Sequence, residues 1–140
     1  TKRYQARPLA AIKYLVVHHS GVDVDSTPKE IAEYHVDVKG WPGIGYHWTI
    51  SRDGMIYLTN YLGTISYHVA QRNYECVGVC LPGDFREGRK PTLAQVQSLQ
   101  QLCDSLISEW PPEWQVVGHK EIALKPTDCP GDTFEQWRPR

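Results

Sequence analysis

Histidine and cysteine are the side chains best able to do chemistry in this chain of 140 residues, which holds six of the first and four of the second. His18 and His19 end the apolar run YLVVHHS, and His119 follows Gly118 at the end of a second run, WQVVGH. Cys129 comes ten residues after His119, in the proline- and glycine-bounded loop PTDCPGD. One histidine from each strand end together with that cysteine would make a three-ligand zinc set. Zinc takes imidazole and thiolate, and a catalytic site leaves the fourth position to water. Successive side chains of a strand point to opposite faces, so only one of His18 and His19 can easily face a given site. None of the short local zinc signatures is present, and spacing alone leaves two other readings open. One is a buried free cysteine with surface histidines. The other is a Cys–His hydrolase nucleophile, although Cys-Pro does not place the thiol at a helix N-terminus, where its pKa would fall.

A set of this kind needs a scaffold that gathers two strand ends and a loop. YLVVHHS, β-branched and apolar, reads as a buried strand ended by Ser20 and Gly21. STPKEIAEYHV is expected to start a helix: Ser26 or Thr27 can cap it, Pro28 suits its first turn, and Glu30 follows at capping-box spacing. His35, at the end of that helix, is expected to be structural. Gly40, Pro42, Gly43 and Gly45 make a loop ahead of a strand YHWTIS, a turn RDG and a hairpin partner MIYLTN. CVGVCL reads as another buried strand. After a cap at Thr92, the residues Leu93, Val96, Leu99, Leu102, Cys103, Leu106, Ile107 and Trp110 recur at threes and fours. They predict a helix with its apolar stripe in the core, stopped by Pro111 and Pro112. Beyond His119 the spacing predicts a loop with a last helical turn or two. The irregular alternation with one hairpin predicts an α/β fold, a mixed central β-sheet with helices packed on it. The length fits a single domain over residues 1–140.

Composition narrows the function classes. The net charge of −1 provides no strong field for nucleic acid or an anionic membrane. No apolar run approaches the ~20 residues of a membrane span. The opening TKRYQARPLAAIKYLVVHH holds a short apolar stretch that reads as a strand and not as a signal peptide. A start at threonine is expected of a processed or excised piece, from which a targeting signal can have been removed. A monomer is the default for this size. A chain this long can bury a core without disulfide staples. Cys76 and Cys80, four apart in a strand, would hold their Cα atoms roughly 13 Å apart, beyond the ~7 Å reach of a bridge. A Cys80–Cys103 bond stays open.

Five blocks in order, YLVVHHSG, GWPGIGYHWTISRDGMIY, HVAQRNYECVGVCLPGDF, VVGHKEI and TDCPG, resemble the zinc-dependent N-acetylmuramoyl-L-alanine amidases of type 2. That family takes in bacteriophage endolysins, bacterial autolysins and animal peptidoglycan recognition proteins. The resemblance runs from about Tyr14 to Trp137, the expected catalytic core (residues 14–137). It implies one zinc ion per chain, held by His18, His119 and Cys129. It places Tyr46, in the GYH block, beside the metal, and Thr127 two residues before the third ligand, where some phage enzymes carry a lysine. Some bacterial relatives have a glutamate in the strand where this chain has Cys80, which shifts the catalytic weight to Tyr46 and Thr127. The phenol, with an ordinary pKa of ~10, is better cast as a donor than as a base. His68 and Asn73 match the loop along the substrate groove, and Trp41 either flanks that groove or closes the core. His47 is expected to face away as a satisfied core histidine. The implied activity is hydrolysis of the bond between N-acetylmuramic acid and L-alanine in peptidoglycan. The implied place is the bacterial cell wall, reached by secretion or by release of a phage-encoded protein. The alternative on the same fold is a non-catalytic peptidoglycan-binding receptor module, in which the third ligand is commonly lost.

Overall fold

The computed structural model describes residues 2–109 and 114–140. In chain order its elements are β1 (Gln5–Ala6), β2 (Tyr14–His19), α1 (Pro28–Asp37), β3 (Trp48–Ile50), β4 (Ile56–Leu58) and β5 (Thr64–Ile65). They are followed by β6 (Cys76–Leu81), α2 (Leu93–Glu109), β7 (Gln115–Gly118), α3 (His119–Ile122) and α4 (Phe134–Trp137). A five-stranded sheet has the order β4-β3-β6-β2-β7. β3, β6, β2 and β7 pair in parallel, and β4 closes one edge antiparallel as the hairpin partner of β3. This is the mixed sheet that the alternation of elements predicts. A two-stranded ribbon of β1 and β5, which no sequence pattern announced, lies apart from it.

Both faces of the central strands are covered, which is why YLVVHH and CVGVCL read as continuous apolar runs. Leu15 and Val17 of β2 join Val77, Val79 and Leu81 of β6 in the main core, under Leu99, Cys103 and Leu106 of α2. Val16 and Cys76 pack on the opposite face with Val69. By strand alternation His18 and Cys80 share that second face, and the register pairs them directly. Parallel strands end on the same side. Val17 pairs with Gly118, so the next residues along, His18 and His119, emerge side by side at the C-terminal edge of the sheet, the edge where open α/β sheets place their ligands.

Several local expectations are met and several corrected. Thr27 is the cap of α1, in a complete capping box with Glu30. Thr92 caps α2, its hydroxyl accepting from the Gln95 backbone N–H at 3.1 Å. The buried stripe of α2 is Gln95, Leu99, Cys103 and Leu106, while Leu93 is 72% exposed and Ile107 45%. Gln95 takes the place expected for Leu93, because its amide bridges the carbonyls of Ile50 and Pro82 at two strand ends. At 100° per residue, that turns position 93 to solvent. Trp110, Pro111 and Pro112, expected to end the stripe and stop the helix, lie outside the described residues. Tyr46 and His47 precede β3 and do not belong to it. The Tyr46 carbonyl is taken by the side chains of Thr59 and Asn60 instead of a ladder partner. KEI after His119 is helical and not loop, its start capped by Glu121 accepting from Gly118 N at 2.7 Å. All four cysteines are free. A Cys80–Cys103 bridge is not formed, because Cys80 is on the His18 face of the sheet and Cys103, on the buried side of α2, packs in the core on the other face. Among the described residues, no helix is long and apolar enough to cross a membrane.

Candidate metal centre

His18, His119 and Cys129 come together at the sheet's C-terminal edge, their donor atoms all within 4.8 Å of one another. His18 Nδ1 stands 3.7 Å from Cys129 Sγ, and the His18 and His119 rings are 4.6 Å apart between centroids. Two donors on one tetrahedral zinc, a nitrogen at ~2.05 Å and a sulfur at ~2.3 Å, would be about 3.6 Å apart. The His18–Cys129 pair thus has the separation two zinc ligands take, and the imidazole–imidazole–thiolate set could hold a metal ion of that kind. Burial drives His18 well below its usual pKa, with His119 and His68 adding to the effect, and burial lowers His119 as well. Both rings are therefore neutral at pH 7, with lone pairs available. Burial pushes the Cys129 thiol up to about 12. Without a cation beside it the sulfur stays protonated, which disfavours the reading of a metal-free nucleophile.

The Cys129 loop is tied to the elements around it. Cys129 Sγ accepts from His19 N at 3.4 Å, and the Cys129 carbonyl accepts from Lys120 N at 2.7 Å. Lys120 Nζ donates to the Gly131 carbonyl at 2.7 Å. His19 points to the other face, as alternation requires, and its Nδ1 accepts from Phe85 N at 3.1 Å. Asp84, held well below the usual carboxylate range by hydrogen bonds from Arg86 and then by Arg89, keeps Arg86 against the Gly21 carbonyl beside this loop.

The other expected site residues surround the trio. The Tyr46 ring lies 5.1 Å from that of His18. Burial raises its pKa well above the ordinary value, with the nearby Cys80 and Cys129 thiols adding to the effect, so it is a neutral phenol. Thr127 Oγ1 accepts from Cys129 N at 3.2 Å, which leaves its proton to donate into the cleft. His68 Nδ1 is 2.9 Å from His18 Nε2. Asn73 spends its carboxamide oxygen on the backbone N–H groups of His68 and Val69, at 2.9 and 2.7 Å. Trp41 is half-buried against His35 and Tyr67 and lines the cleft. His47 is fully buried, with Nδ1 accepting from Gly78 N and Nε2 donating to the Thr64 carbonyl.

A cleft of about 640 Å³ opens on the trio, and a limb of about 370 Å³ continues past Trp41, Tyr67 and His119 toward Asn73, Leu124 and Lys125. Cavities of this size accept small-molecule or short-chain ligands. Tyr67 and the positioning part of His35 were missing from the sequence reading. His35 Nδ1 accepts from Gly45 N at 2.9 Å and so holds the backbone before Tyr46. Gly45 is needed there, since a Cβ would fall on the Tyr67 carbonyl. The contacts span ten and twenty-two residues and leave no local sequence signal.

The family model for N-acetylmuramoyl-L-alanine amidase matches residues 8–132. The endolysin of Enterobacteria phage T3 is 30% identical over 142 residues, covering 96% of this chain and 91% of the relative. Peptidoglycan-recognition protein LB of Drosophila melanogaster is 28% identical over 127 residues; the match covers 84% of this chain but 54% of that longer protein. Among solved structures, the N-acetylmuramoyl-L-alanine amidase LysC from Clostridium intestinale superposes with a TM-score of 0.82 at 31% identity, covering 99% of this chain and 90% of that one.

Proposed function

This chain belongs to the N-acetylmuramoyl-L-alanine amidase family, and from that premise we propose that it is a zinc hydrolase cleaving the amide bond between N-acetylmuramic acid and L-alanine in peptidoglycan. On this reading residues 1–140 form one amidase domain with its catalytic core over about 14–137, acting at the bacterial cell wall. The observation that supports it is the His18–His119–Cys129 trio, its donor atoms gathered within 4.8 Å of one another where they line an open cleft.

When bound, zinc supplies Lewis-acid polarisation of a carbonyl and brings the pKa of water from 15.7 toward ~7. The chain's own residues do the rest. The Tyr46 phenol, protonated and adjacent to His18, donates a hydrogen bond to the carbonyl oxygen as negative charge develops there. The Thr127 hydroxyl, fixed by Cys129 N, is free to donate or to pass a proton toward the departing alanine nitrogen. Cys80 supplies no carboxylate, so no side chain on β6 acts as a strong base. Trp41 and Tyr67 offer ring faces along the cleft for the glycan or the stem peptide.

The test is amine release from purified peptidoglycan by zinc-loaded protein, before and after chelation and again after zinc is restored. Activity is expected to vanish on chelation and return with zinc. Muropeptide binding with no turnover in the loaded protein would make the chain a receptor module, and undiminished turnover in zinc-free protein would remove the metal from the reaction. Tyr46→Phe, which keeps the ring and deletes the donor, is expected to lower kcat about a hundredfold with zinc content unchanged. A variant at the parent rate would strip Tyr46 of this role.

A further inference from the structure

His68, expected along the substrate groove, lines the cleft and also turns a ring nitrogen to His18. We propose that His68 is a positioning residue for His18, fixing which nitrogen of that ligand faces the metal; this rests on the zinc reading above. His18 has two ring nitrogens with different neighbours. Nδ1 faces Cys129 Sγ at 3.7 Å, and Nε2 faces His68 Nδ1 at 2.9 Å. A ligating Nδ1 needs its lone pair, so the ring proton sits on Nε2 and is donated to His68 Nδ1. His68 then carries its own proton on Nε2, which lies 3.4 Å from the Cys76 carbonyl. A carbonyl can only accept. The direction of the series is therefore set from its far end: Cys76 fixes the tautomer of His68, and His68 fixes that of His18.

The surroundings serve this placement. Asn73 Oδ1 accepts from both His68 N and Val69 N and pins the backbone that carries the ring. On the strand side the ring lies directly over Gly78, where a Cβ would come within 2.7 Å of His68 Nδ1. Gly78 is itself held by His47, whose Nδ1 accepts from Gly78 N at 3.0 Å and whose ring meets that of His68 edge-on at 5.7 Å. Both nitrogens of His68 are thus engaged by protein. A partner of this kind orients a ligating histidine and raises its basicity, and its loss typically costs 10–100-fold in metal affinity.

The experiment measures zinc affinity by competition with a chromophoric chelator on the full chain, without substrate. The parent is compared with His68→Leu, His68→Gln and Gly78→Ala, and metal-free melts check that each variant is folded. His68→Leu is expected to bind zinc about 10–100-fold more weakly, and Gly78→Ala is expected to weaken binding by displacing the ring. His68→Gln, whose carboxamide can accept from His18 and donate to Cys76, should recover most of the affinity. Unchanged zinc affinity in folded His68→Leu, with only KM raised, would overturn the proposal and return His68 to substrate contact. An equal loss in the Gln variant would overturn the tautomer argument. A parent that binds no zinc is a different result, because it would overturn the amidase reading itself.

Discussion

Cys129→Ser is expected to lose its zinc and about a thousandfold or more of its turnover while remaining folded. With zinc bound, the sulfur would be the one anionic donor of the trio, the other two being neutral imidazoles. A serine hydroxyl does not ionise near neutral pH, so substitution leaves two neutral ligands and no charge to offset that of the ion. Losing the several kcal/mol that a metal gives to developing charge corresponds to a rate factor of about 10³. The fold should survive because the metal is not its cement. The main core runs from Ile12 to Trp137 and does not include Cys129. A serine oxygen can still accept from His19 N as the sulfur does, so the metal-free melting temperature should move little. Metal analysis, turnover and melts with and without chelator check the three statements together. The parent's melt should respond to chelator and the variant's should not. A variant that keeps zinc and the parent rate would remove Cys129 from the ligand set.

The choice of His18 over His19 marks where local pattern ends and register begins. β-branched runs announced β2 and β6, because strands buried on both faces have to be apolar throughout. Alternation then showed that one histidine of the pair had to turn away from any shared site. Which one depends on Val17 lying beside Gly118 and His18 beside Cys80, and no local pattern encodes the pairing of strands separated by sixty or a hundred residues. The resemblance to the amidases carried that information instead. The same limit explains Gln95. Its side chain satisfies carbonyls from two other elements, so apolar periodicity alone filled the stripe with Leu93. It also hides the inner contact of His68, which lines the cleft and at the same time sets its Nδ1 2.9 Å from His18 Nε2, fifty residues away in sequence. Contacts that join distant segments account for these cases; of the local contacts, the Thr27–Glu30 capping box was legible, and the Gly118–Glu121 contact that starts α3 was not.

Gly131→Ala carries the second large effect and joins stability to the metal site. Gly131 has φ +109°, a conformation that costs a residue with a side chain about 1–3 kcal/mol. Its Cβ would also fall on the Phe85 carbonyl and lie within 2.9 Å of the Phe85 Cβ. That neighbour cannot easily give way. Phe85 N is bonded to His19, its ring is buried against Trp137, and the Asp132 carboxylate holds Glu87 N and Gly88 N just beyond. Forcing such a contact adds about 1–3 kcal/mol. Together the two terms give about 4 kcal/mol and a melting temperature lower by on the order of 10 °C. The strain should be relieved by moving the Cys129 loop, which would loosen the Lys120–Gly131 and Lys120–Cys129 hydrogen bonds and weaken zinc binding as well. Gly88→Ala separates the two causes. Gly88 also has positive φ, at +79°, but a Cβ there meets nothing within 4 Å. It should therefore lose only the backbone term and keep its zinc affinity. If calorimetry finds the two variants equally destabilised, the Phe85 contact does not fix the Cys129 loop, and the placement of the thiolate must depend on the bonds from Lys120 and His19.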